Sequence, residues 1–473
     1  MKGDYYLAID IGASGGRHIL GRVDGGKLRL TEAYRFANDF TRADGADVWD
    51  VRSLYANILA GMAKCREMGA VPRSAAIDTW AVDFVHLDAG GGMIGQAVAY
   101  RDARTDGMDA EVYAVVPEAE LYARTGVQRQ IFNTIFQLTA VRKKQPELLA
   151  ATSAILMLPD YFNYLLTGVA TSEYTNASST GLLDARSGGW DYELIGRLGL
   201  PRGIFLPVEK PGRILGRLRP ETARAVGYDC DVALPATHDT GSAVLAAARS
   251  DGGIYISSGT WSLMGVELPR PDTSEAARRL NFTNEGAFGG GIRFLKNIMG
   301  LWMIQRVRKE LGGAPSFAEL CAMAERETIP SLVDPDLPGF LAPESMIGEI
   351  RRACRETGQT EPETPGELAA VVYNSLAECY GRVAGQLESV TGRTYPVINV
   401  VGGGSNADYL NRLTAVKTGK AVIAGPSEAT AVGNILAQMI ASGDCADEGA
   451  ARELARVSFD AKRYESGTGR DKI

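Results

Sequence analysis

Histidine and cysteine are scarce in this 473-residue chain, which has three histidines and six cysteines. The cysteines stand singly, with no C-x-x-C pair and no histidine at ligand spacing. Structural and catalytic zinc sites are built from such closely spaced ligands, so a zinc-dependent function is disfavoured. Isolated cysteines also fit a compartment in which thiols stay reduced.

Long uncharged apolar runs are absent as well. No segment is long and uncharged enough to span a bilayer, and Asp4 and Asp10 interrupt the apolar stretch in which a signal peptide would be sought. The chain has 50 basic and 57 acidic residues and a formal net charge of −7, which disfavours nucleic acid or an anionic membrane as the main partner. We therefore expect a cytoplasmic protein that binds neither nucleic acid nor a membrane.

Several common site signatures are missing or misplaced. The chain has no Gly-x-x-x-x-Gly-Lys-Ser/Thr and no Gly-x-Gly-x-x-Gly that opens a helix, which excludes a Walker-type loop and disfavours a Rossmann cofactor site. A formal Gly-x-Ser-x-Gly occurs at 12–16, but it lies between predicted strands near the start of the chain. A hydrolase nucleophile needs a central strand before the turn and a helix after it, so we reject that function.

Glycine is abundant, with 55 residues, and several glycines cluster in turns. The apolar run at 7–11 includes Asp10 and leads into a turn that ends at Arg17. Glycines allow backbone amides to approach an anion closely, so the turn is predicted to bind phosphate. A plain hairpin turn that binds nothing is the alternative.

A second segment, at 253–265, has the same order of apolar strand, Ser/Gly/Thr turn and apolar strand. The chain is also longer than one hydrophobic core usually supports, so two domains are expected. The repeat predicts a duplicated α/β architecture whose halves face each other across a cleft. Two unrelated hairpins remain the alternative.

The third glycine turn lies near the C-terminal end. Periodicity predicts an amphipathic helix over 365–390 and a strand over 397–401, followed by Gly402–Gly404 and another helix. A triple glycine between a buried strand and a helix N-terminus allows a flat or anionic ligand to lie against the backbone. We expect a ligand-binding turn there.

A few polar residues interrupt apolar segments. Asp10 and Asp239 each lie at the end of a predicted strand, where they fit either a magnesium–phosphate site with a hydroxyl nucleophile or simple turn caps. His238 is either a sugar-hydroxyl partner or a core histidine. Asn297 and Gln305 interrupt an apolar run that we predict to be helical, and there they either bond to nearby backbone or point towards a ligand.

Together these stretches resemble the FGGY carbohydrate kinases of the actin, hexokinase and Hsp70 superfamily. Asp10-x-Gly12-x-Ser14-x-x-Arg17 is similar to the first phosphate motif, 257–261 to the second and 401–405 to the adenosine motif. The stretch 158–178 is similar to one that actin and Hsp70 do not carry. The resemblance covers nearly the whole chain.

The resemblance implies a two-lobed, actin-like and ribonuclease H-like ATPase fold with duplicated mixed sheets and a central cleft. It places an N-terminal sugar-binding and phosphate-loop lobe at 1–245, a C-terminal nucleotide-binding lobe at 246–460 and a polar tail at 461–473. It implies ATP-dependent phosphorylation of a small ketose, with Mg²⁺. Whether the protein is a monomer or a dimer stays open. Two alternatives remain, a related kinase that acts on a different ketose and a protein of the same superfamily whose binding of a partner is switched by ATP.

The resemblance also assigns individual residues. The predicted ATP contacts are Ala13, Ser14, Gly15, Gly16, Arg17, Thr260, Gln305 and Gly403. The predicted sugar contacts are Ala81, His238, Asp239, Thr240 and Asn297. Asp239 is the implied catalytic base, and Asp10 and Asp239 would hold Mg²⁺ through water. In the branch of the family that the chain most resembles, glycine is frequent at the position of Ala81 and serine at the position of Thr237. The sugar pocket is therefore expected to be slightly tighter.

Overall fold

The computed structural model describes residues 5–247 and 252–467, so residues 468–473 of the predicted polar tail lie outside the described part. The chain divides into two compact units. Of the described residues, unit 1 comprises 5–246, 267–294 and 430–458, and unit 2 comprises 247, 252–266, 295–429 and 459–467. Among the described residues, no helix combines the length and apolar character needed to cross a membrane.

In chain order the described strands are β1 (Tyr5–Gly12), β2 (Gly15–Asp24), β3 (Lys27–Ala37), β4 (Thr41–Ala43), β5 (Ala46–Val48), β6 (Pro72–Thr79), β7 (Phe84–Leu87), β8 (Met93–Ile94), β9 (Ala154–Met157), β10 (Ser172–Glu173), β11 (Val208–Glu209), β12 (Arg213–Arg217), β13 (Asp231–Leu234), β14 (Ile254–Ser258), β15 (Trp261–Leu268), β16 (Thr283–Gly286), β17 (Ile292–Met299), β18 (Val397–Val401), β19 (Ala421–Ala424) and β20 (Lys462–Tyr464).

The described helices are α1 (Val51–Glu67), α2 (Met108–Tyr113), α3 (Glu118–Thr125), α4 (Thr134–Lys144), α5 (Pro146–Ala151), α6 (Leu158–Thr167), α7 (Tyr174–Ala177), α8 (Tyr192–Arg197), α9 (Pro220–Val226), α10 (Asp239–Ala246), α11 (Glu275–Arg279), α12 (Trp302–Glu310), α13 (Phe317–Ala324), α14 (Met346–Glu356), α15 (Pro365–Thr391), α16 (Asp408–Thr418), α17 (Ala429–Ala441) and α18 (Glu448–Ser458).

Unit 1 is built on a six-stranded mixed sheet in the order β12-β13-β6-β1-β2-β3 within the described residues. Strand β1 pairs antiparallel with β2 and parallel with β6, and β6 pairs parallel with β13. Residues 6–11 of β1 are all buried, as expected for a near-continuous apolar strand at the centre of a sheet. Parallel pairing brings the carboxyl ends of β1, β6 and β13 to one edge of this sheet.

The second large sheet has the order β16-β17-β15-β14-β18-β19-β20 in the described part of the chain. Its strand β14 pairs antiparallel with β15 and parallel with β18, and β18 pairs parallel with β19. The central strand therefore has the same kinds of neighbour as β1 has in unit 1. This repetition confirms the predicted duplication of a mixed sheet.

One local prediction was wrong. Asn297 lies in strand β17 rather than in a helix, and only Gln305, in α12, is helical. A short apolar run does not distinguish a strand from a buried helix by periodicity, and Gly300 separates the two elements. Within the predicted polar tail, Lys462–Tyr464 forms β20, which pairs with β19, and the side chains of Lys462 and Tyr464 both bond to the Asp408 carboxylate.

Helix α17 approaches α10 closely at Gly433. A Cβ at this position would lie 1.8 Å from the carbonyl oxygen of Ser242, so Gly433→Ala requires the backbone to shift. We expect a loss of about 2 kcal/mol in the free energy of unfolding, the scale of overpacking. Urea unfolding measures it. Gly385→Ala is the control, since nothing lies within 4 Å and helix propensity predicts a gain of about 1 kcal/mol. An equal change in the free energy of unfolding for the two variants would contradict the close approach of α17 to α10.

Candidate active site

Three aspartates lie at the edge of the unit 1 sheet where its parallel strands end. The register of β1 and β6 places Asp10 directly opposite Asp78. One residue further, Thr79 pairs in parallel with His238, just beyond β13, and Asp239 begins helix α10. Sheet topology therefore brings together two predicted site residues that are 229 positions apart, with Asp78 between their strands.

The first glycine turn joins β1 to β2 and lies beside Asp10. Arg17 is opposite Asp10 in the hairpin register, and its Nη2 donates to Asp10 Oδ2 at 2.8 Å. Ala13 and Ser14 form the turn itself. The side-chain amide of Asn38 stabilises the turn by donating to the Gly12 carbonyl at 3.0 Å. The backbone that is predicted to bind phosphate is thus fixed next to a carboxylate.

Asp78 was not among the predicted site residues. It is fully buried, and Nδ2 of Asn434 on α17 donates to its Oδ2 at 2.7 Å. Burial, together with the neighbouring negative charges of Asp10 and Asp239, raises the pKa of Asp78 well above its usual range. The sequence signal was an acidic residue inside an apolar strand, but its importance depends on the parallel register with β1.

The Asp239 carboxylate has one oxygen held by the protein. Oδ1 accepts the backbone N–H of Thr240 at 2.5 Å and the Thr240 hydroxyl at 3.2 Å. Oδ2 accepts no hydrogen bond from the residues that the structure describes, and the side chain is 31% exposed. An oriented carboxylate with one oxygen left for a ligand is suited to general-base chemistry.

Ala81 lies in a short loop after β6 that is held under strain. Val82, a β-branched residue, has φ of 69°, a conformation that such residues rarely adopt. The buried Asp83 carboxylate fixes the loop by accepting the indole N–H groups of Trp49 and Trp80 on Oδ2, at 2.7 and 2.9 Å. Burial raises the pKa of Asp83 to about 6. The loop presents Ala81, half-buried, at the end of β6.

In unit 2 the structure brings together the second and third glycine turns and the start of α12. The Thr260 carbonyl, between β14 and β15, accepts the backbone N–H groups of Gly300 and Trp302. Gly403 begins a 3₁₀ turn after β18. A Cβ on the next residue, Gly404, would lie 2.0 Å from the hydroxyl oxygen of Ser258 on β14, so only glycine fits there without a shift.

The predicted site residues thus form one set in each unit. Unit 1 carries Asp10, Ala13–Arg17, Ala81 and His238–Thr240, and unit 2 carries Thr260, Asn297, Gln305 and Gly403. Gln305 lies in the first turn of α12. Within residues 5–247 and 252–467, no group of three or more His, Cys, Asp or Glu side chains is arranged to hold a metal ion directly.

Both halves of the chain match models of a known protein family. The model of the N-terminal domain of the FGGY family of carbohydrate kinases matches residues 5–246, and the model of its C-terminal domain matches residues 254–442. The chain belongs to the FGGY family of carbohydrate kinases. It is therefore an enzyme that phosphorylates a small sugar with ATP, as this family does, typically with a divalent metal.

Curated relatives match this FGGY kinase over nearly its full length. Proteins named rhamnulokinase from Oceanobacillus iheyensis and Halalkalibacterium halodurans are 47% and 48% identical, over 98% of this chain and 98% and 99% of theirs. The rhamnulokinase of Bacillus subtilis is 44% identical over 97% of this chain and 95% of its own. The match therefore covers almost all of this chain and almost all of each of these relatives.

Solved structures of other FGGY kinases share the fold. The xylulose kinase of Lactobacillus acidophilus superposes with a TM-score of 0.80 at 16% identity, covering 98% of this chain and 93% of that one. Plasmodium falciparum glycerol kinase with ADP superposes with a TM-score of 0.78 at 15% identity, covering 98% and 94%. The expected two-domain actin-like ATPase fold is confirmed.

Proposed function

We propose that this FGGY kinase transfers the γ-phosphoryl group of ATP to O1 of L-rhamnulose, which gives L-rhamnulose 1-phosphate and ADP in L-rhamnose degradation. The observation that carries the proposal is the set of relatives named rhamnulokinase, at 41% to 48% identity over almost the whole chain. The xylulose kinase structure described above shares only 16% identity, which supports the rhamnulose branch over that sister kinase.

Asp239 is the proposed general base. Its Oδ2 takes the proton of the O1 hydroxyl, O1 bonds to the γ-phosphorus, and the bond from that phosphorus to the bridging oxygen of ADP breaks. Phosphoryl transfer needs little covalent chemistry from the protein, so orientation of the hydroxyl and stabilisation of charge supply most of the rate. The Thr240 N–H on Oδ1 fixes the carboxylate for this role.

ATP is proposed to bind through the glycine turns. The backbone at Ala13–Arg17 would hold the terminal phosphates beside Asp10, and Thr260, Gln305 and Gly403 would contact the remainder of the nucleotide. Backbone amides in such turns form concave anion sites.

The acidic edge of unit 1 suits Mg²⁺, which prefers oxygen ligands and keeps several of its waters. Asp10 is 94% buried beside the phosphate turn, and Asp239 presents a carboxylate oxygen that the described protein leaves open. These two residues would hold the ion through water. When bound, Mg²⁺ offsets charge on the phosphates.

Sugar selection is proposed to involve Ala81, His238, Thr240 and Asn297. The strained, indole-anchored loop supports this role for Ala81, because a backbone held so firmly gives the pocket a defined wall. The single cysteines are all unpaired thiols, which supports a reducing cytoplasmic location.

A coupled ADP-release assay over a small ketose panel tests the assignment. We expect kcat/KM for L-rhamnulose to exceed that for L-fuculose and D-xylulose at least about 10-fold, since a site that hydrogen-bonds particular hydroxyls rejects sugars that place them differently. Reactions without sugar give the background rate of ATP hydrolysis. A higher kcat/KM for another ketose would reassign the substrate, and ADP release independent of any sugar would overturn the kinase assignment at this site.

A further inference from the structure

A buried ion pair lies behind His238. Arg293 on β17 is fully buried and Glu285 on β16 is 4% exposed. Arg293 Nη2 lies 3.0 Å from Glu285 Oε2, and these two atoms lie 3.1 and 3.2 Å from Nδ1 of His238. A buried ion pair is on average no more stabilising than well-packed apolar residues, so its position against one imidazole nitrogen points to another role.

The contact with Arg293 favours one tautomer of His238. A guanidinium has donors only, so a hydrogen bond in this contact requires Nδ1 to accept from Nη2, which puts the ring proton on Nε2. A second bond fixes the guanidinium, since Arg293 Nε donates to the Gly286 carbonyl at 2.9 Å. Glu285 offers the competing arrangement, in which Nδ1 keeps the proton and donates it to the carboxylate.

Glu285 supplies the negative charge that balances Arg293. Burial favours the neutral acid, but the adjacent guanidinium and the imidazole of His238 together outweigh this and hold the pKa of Glu285 below its usual range. The carboxylate is therefore ionised. An ionised Glu285 keeps the buried Arg293 charge compensated next to the imidazole.

The other side of the imidazole faces the proposed base. His238 Nε2 lies 3.5 Å from Oδ1 of Asp239, so an N–H on Nε2 is next to this oxygen. Oδ1 is the oxygen that Thr240 also binds. The donors of the protein thus converge on Oδ1, and Oδ2 is left to the ligand.

We propose that Arg293 and Glu285 are positioning residues that hold His238 as the Nε2–H tautomer and, through it, direct Oδ2 of Asp239 to the hydroxyl that is phosphorylated. The part concerning Asp239 rests on the proposed function. The tautomer of His238 does not, so it can be measured independently of any substrate.

Nitrogen-15 NMR of the imidazoles at pH 7.5 tests the tautomer directly. The chain has only three histidines, and burial lowers the pKa of His18 and of His86 to about 4, so both are neutral internal references. His238→Gln assigns the remaining signal. We expect the Nε2–H pattern for His238 in the wild type. An Nδ1–H pattern there would overturn the proposal.

Two substitutions separate positioning from mere packing. Arg293→Met removes the donor to Nδ1, so the proton is expected to move to Nδ1 and bond to Glu285. Glu285→Gln removes the competing carboxylate and is expected to keep the Nε2–H pattern. The same tautomer in both variants would contradict the proposal, because loss of packing alone gives no such difference.

Kinetics provide the second readout. Arg293→Met is expected to lower kcat for L-rhamnulose about 10²-fold, the lower end of the general-base scale, with a much smaller change in KM. Arg293→Lys keeps a cationic donor and should recover at least 10-fold of that loss. If Arg293→Met does not fold, the wild-type spectrum and Arg293→Lys still decide, since an Nδ1–H pattern in either would overturn the proposal.

Arg279→Met, at an exposed arginine, is the matched control and should match the wild type in both readouts. The measurements distinguish an error in the assigned reaction from an error in the assigned tautomer. A wild-type enzyme without ketose kinase activity that still shows the Nε2–H pattern would overturn the assigned reaction and leave the tautomer standing.

Discussion

Replacing Asp239 with Asn is expected to lower kcat for L-rhamnulose at least about 10²-fold, with KM for the sugar nearly unchanged. The amide oxygen can still accept the Thr240 N–H in place of Oδ1, so the side chain keeps its orientation. The amide nitrogen that replaces Oδ2 cannot take the proton of the O1 hydroxyl. Steady-state kinetics with saturating ATP measure the effect.

Asp24→Asn is the control for this variant, because Asp24 is an exposed carboxylate at the end of β2. It should leave kcat and KM unchanged. Turnover by Asp239→Asn within about three-fold of the wild type would remove Asp239 as the base, since general-base catalysis contributes at least about 10²-fold. A large rise in KM with unchanged kcat would assign it to sugar binding alone.

Replacing Glu173 with Ala is expected to reduce both stability and turnover. Its fully buried carboxylate accepts the N–H and hydroxyl of Thr175, the N–H of Asn176, and the N–H and hydroxyl of Thr237, at 2.6 to 3.1 Å. Truncation leaves these buried donors without an acceptor. At about 1 to 3 kcal/mol for each unsatisfied group, we expect a total loss of about 4 kcal/mol after partial relaxation.

These hydrogen bonds to Glu173, which we call the clamp, also explain why kcat should fall in the molecules that remain folded. Thr237 immediately precedes His238 and Asp239, and the Thr175 hydroxyl accepts the N–H of His238 at 3.2 Å. Loss of Glu173 therefore frees the chain segment that carries the proposed base. Urea unfolding and kcat at a temperature well below the transition measure the two effects separately.

Glu221→Ala, at an exposed position on α9, is the matched control and should change stability by less than about 0.5 kcal/mol. A change of less than about 1 kcal/mol for Glu173→Ala would contradict the clamp, because that is the scale of a single ordinary hydrogen bond. Wild-type kcat in a destabilised variant would show that the clamp supports the fold but not the site.

Much of the framework could be predicted from local sequence. The predicted strand at 397–401 is β18, and the helix predicted over 365–390 is α15, which ends one residue later. Strong apolar periodicity and glycine turns are local signals, so they can be read without knowledge of the tertiary contacts. The family motifs added the proposed role of Asp239 as a base, which no local pattern distinguishes from that of a turn cap.

The missing parts of the candidate site depend on long-range geometry. Asp78 matters because β6 is paired in parallel with β1, and Arg293 matters because β17 places it against His238. Neither register nor burial can be read from the surrounding residues. Asn297 was predicted in a helix because the short apolar segment around it carries no signal that distinguishes a strand.

Every proposed residue role depends on transfer of the γ-phosphoryl group of ATP to O1 of L-rhamnulose. Proton–phosphorus correlation NMR of the product formed from L-rhamnulose, ATP and Mg²⁺ tests it most directly. We expect a phosphate ester coupled to the C1 methylene protons, formed in equal amount with ADP. ADP without a sugar phosphate, or phosphate on any other hydroxyl, would contradict it.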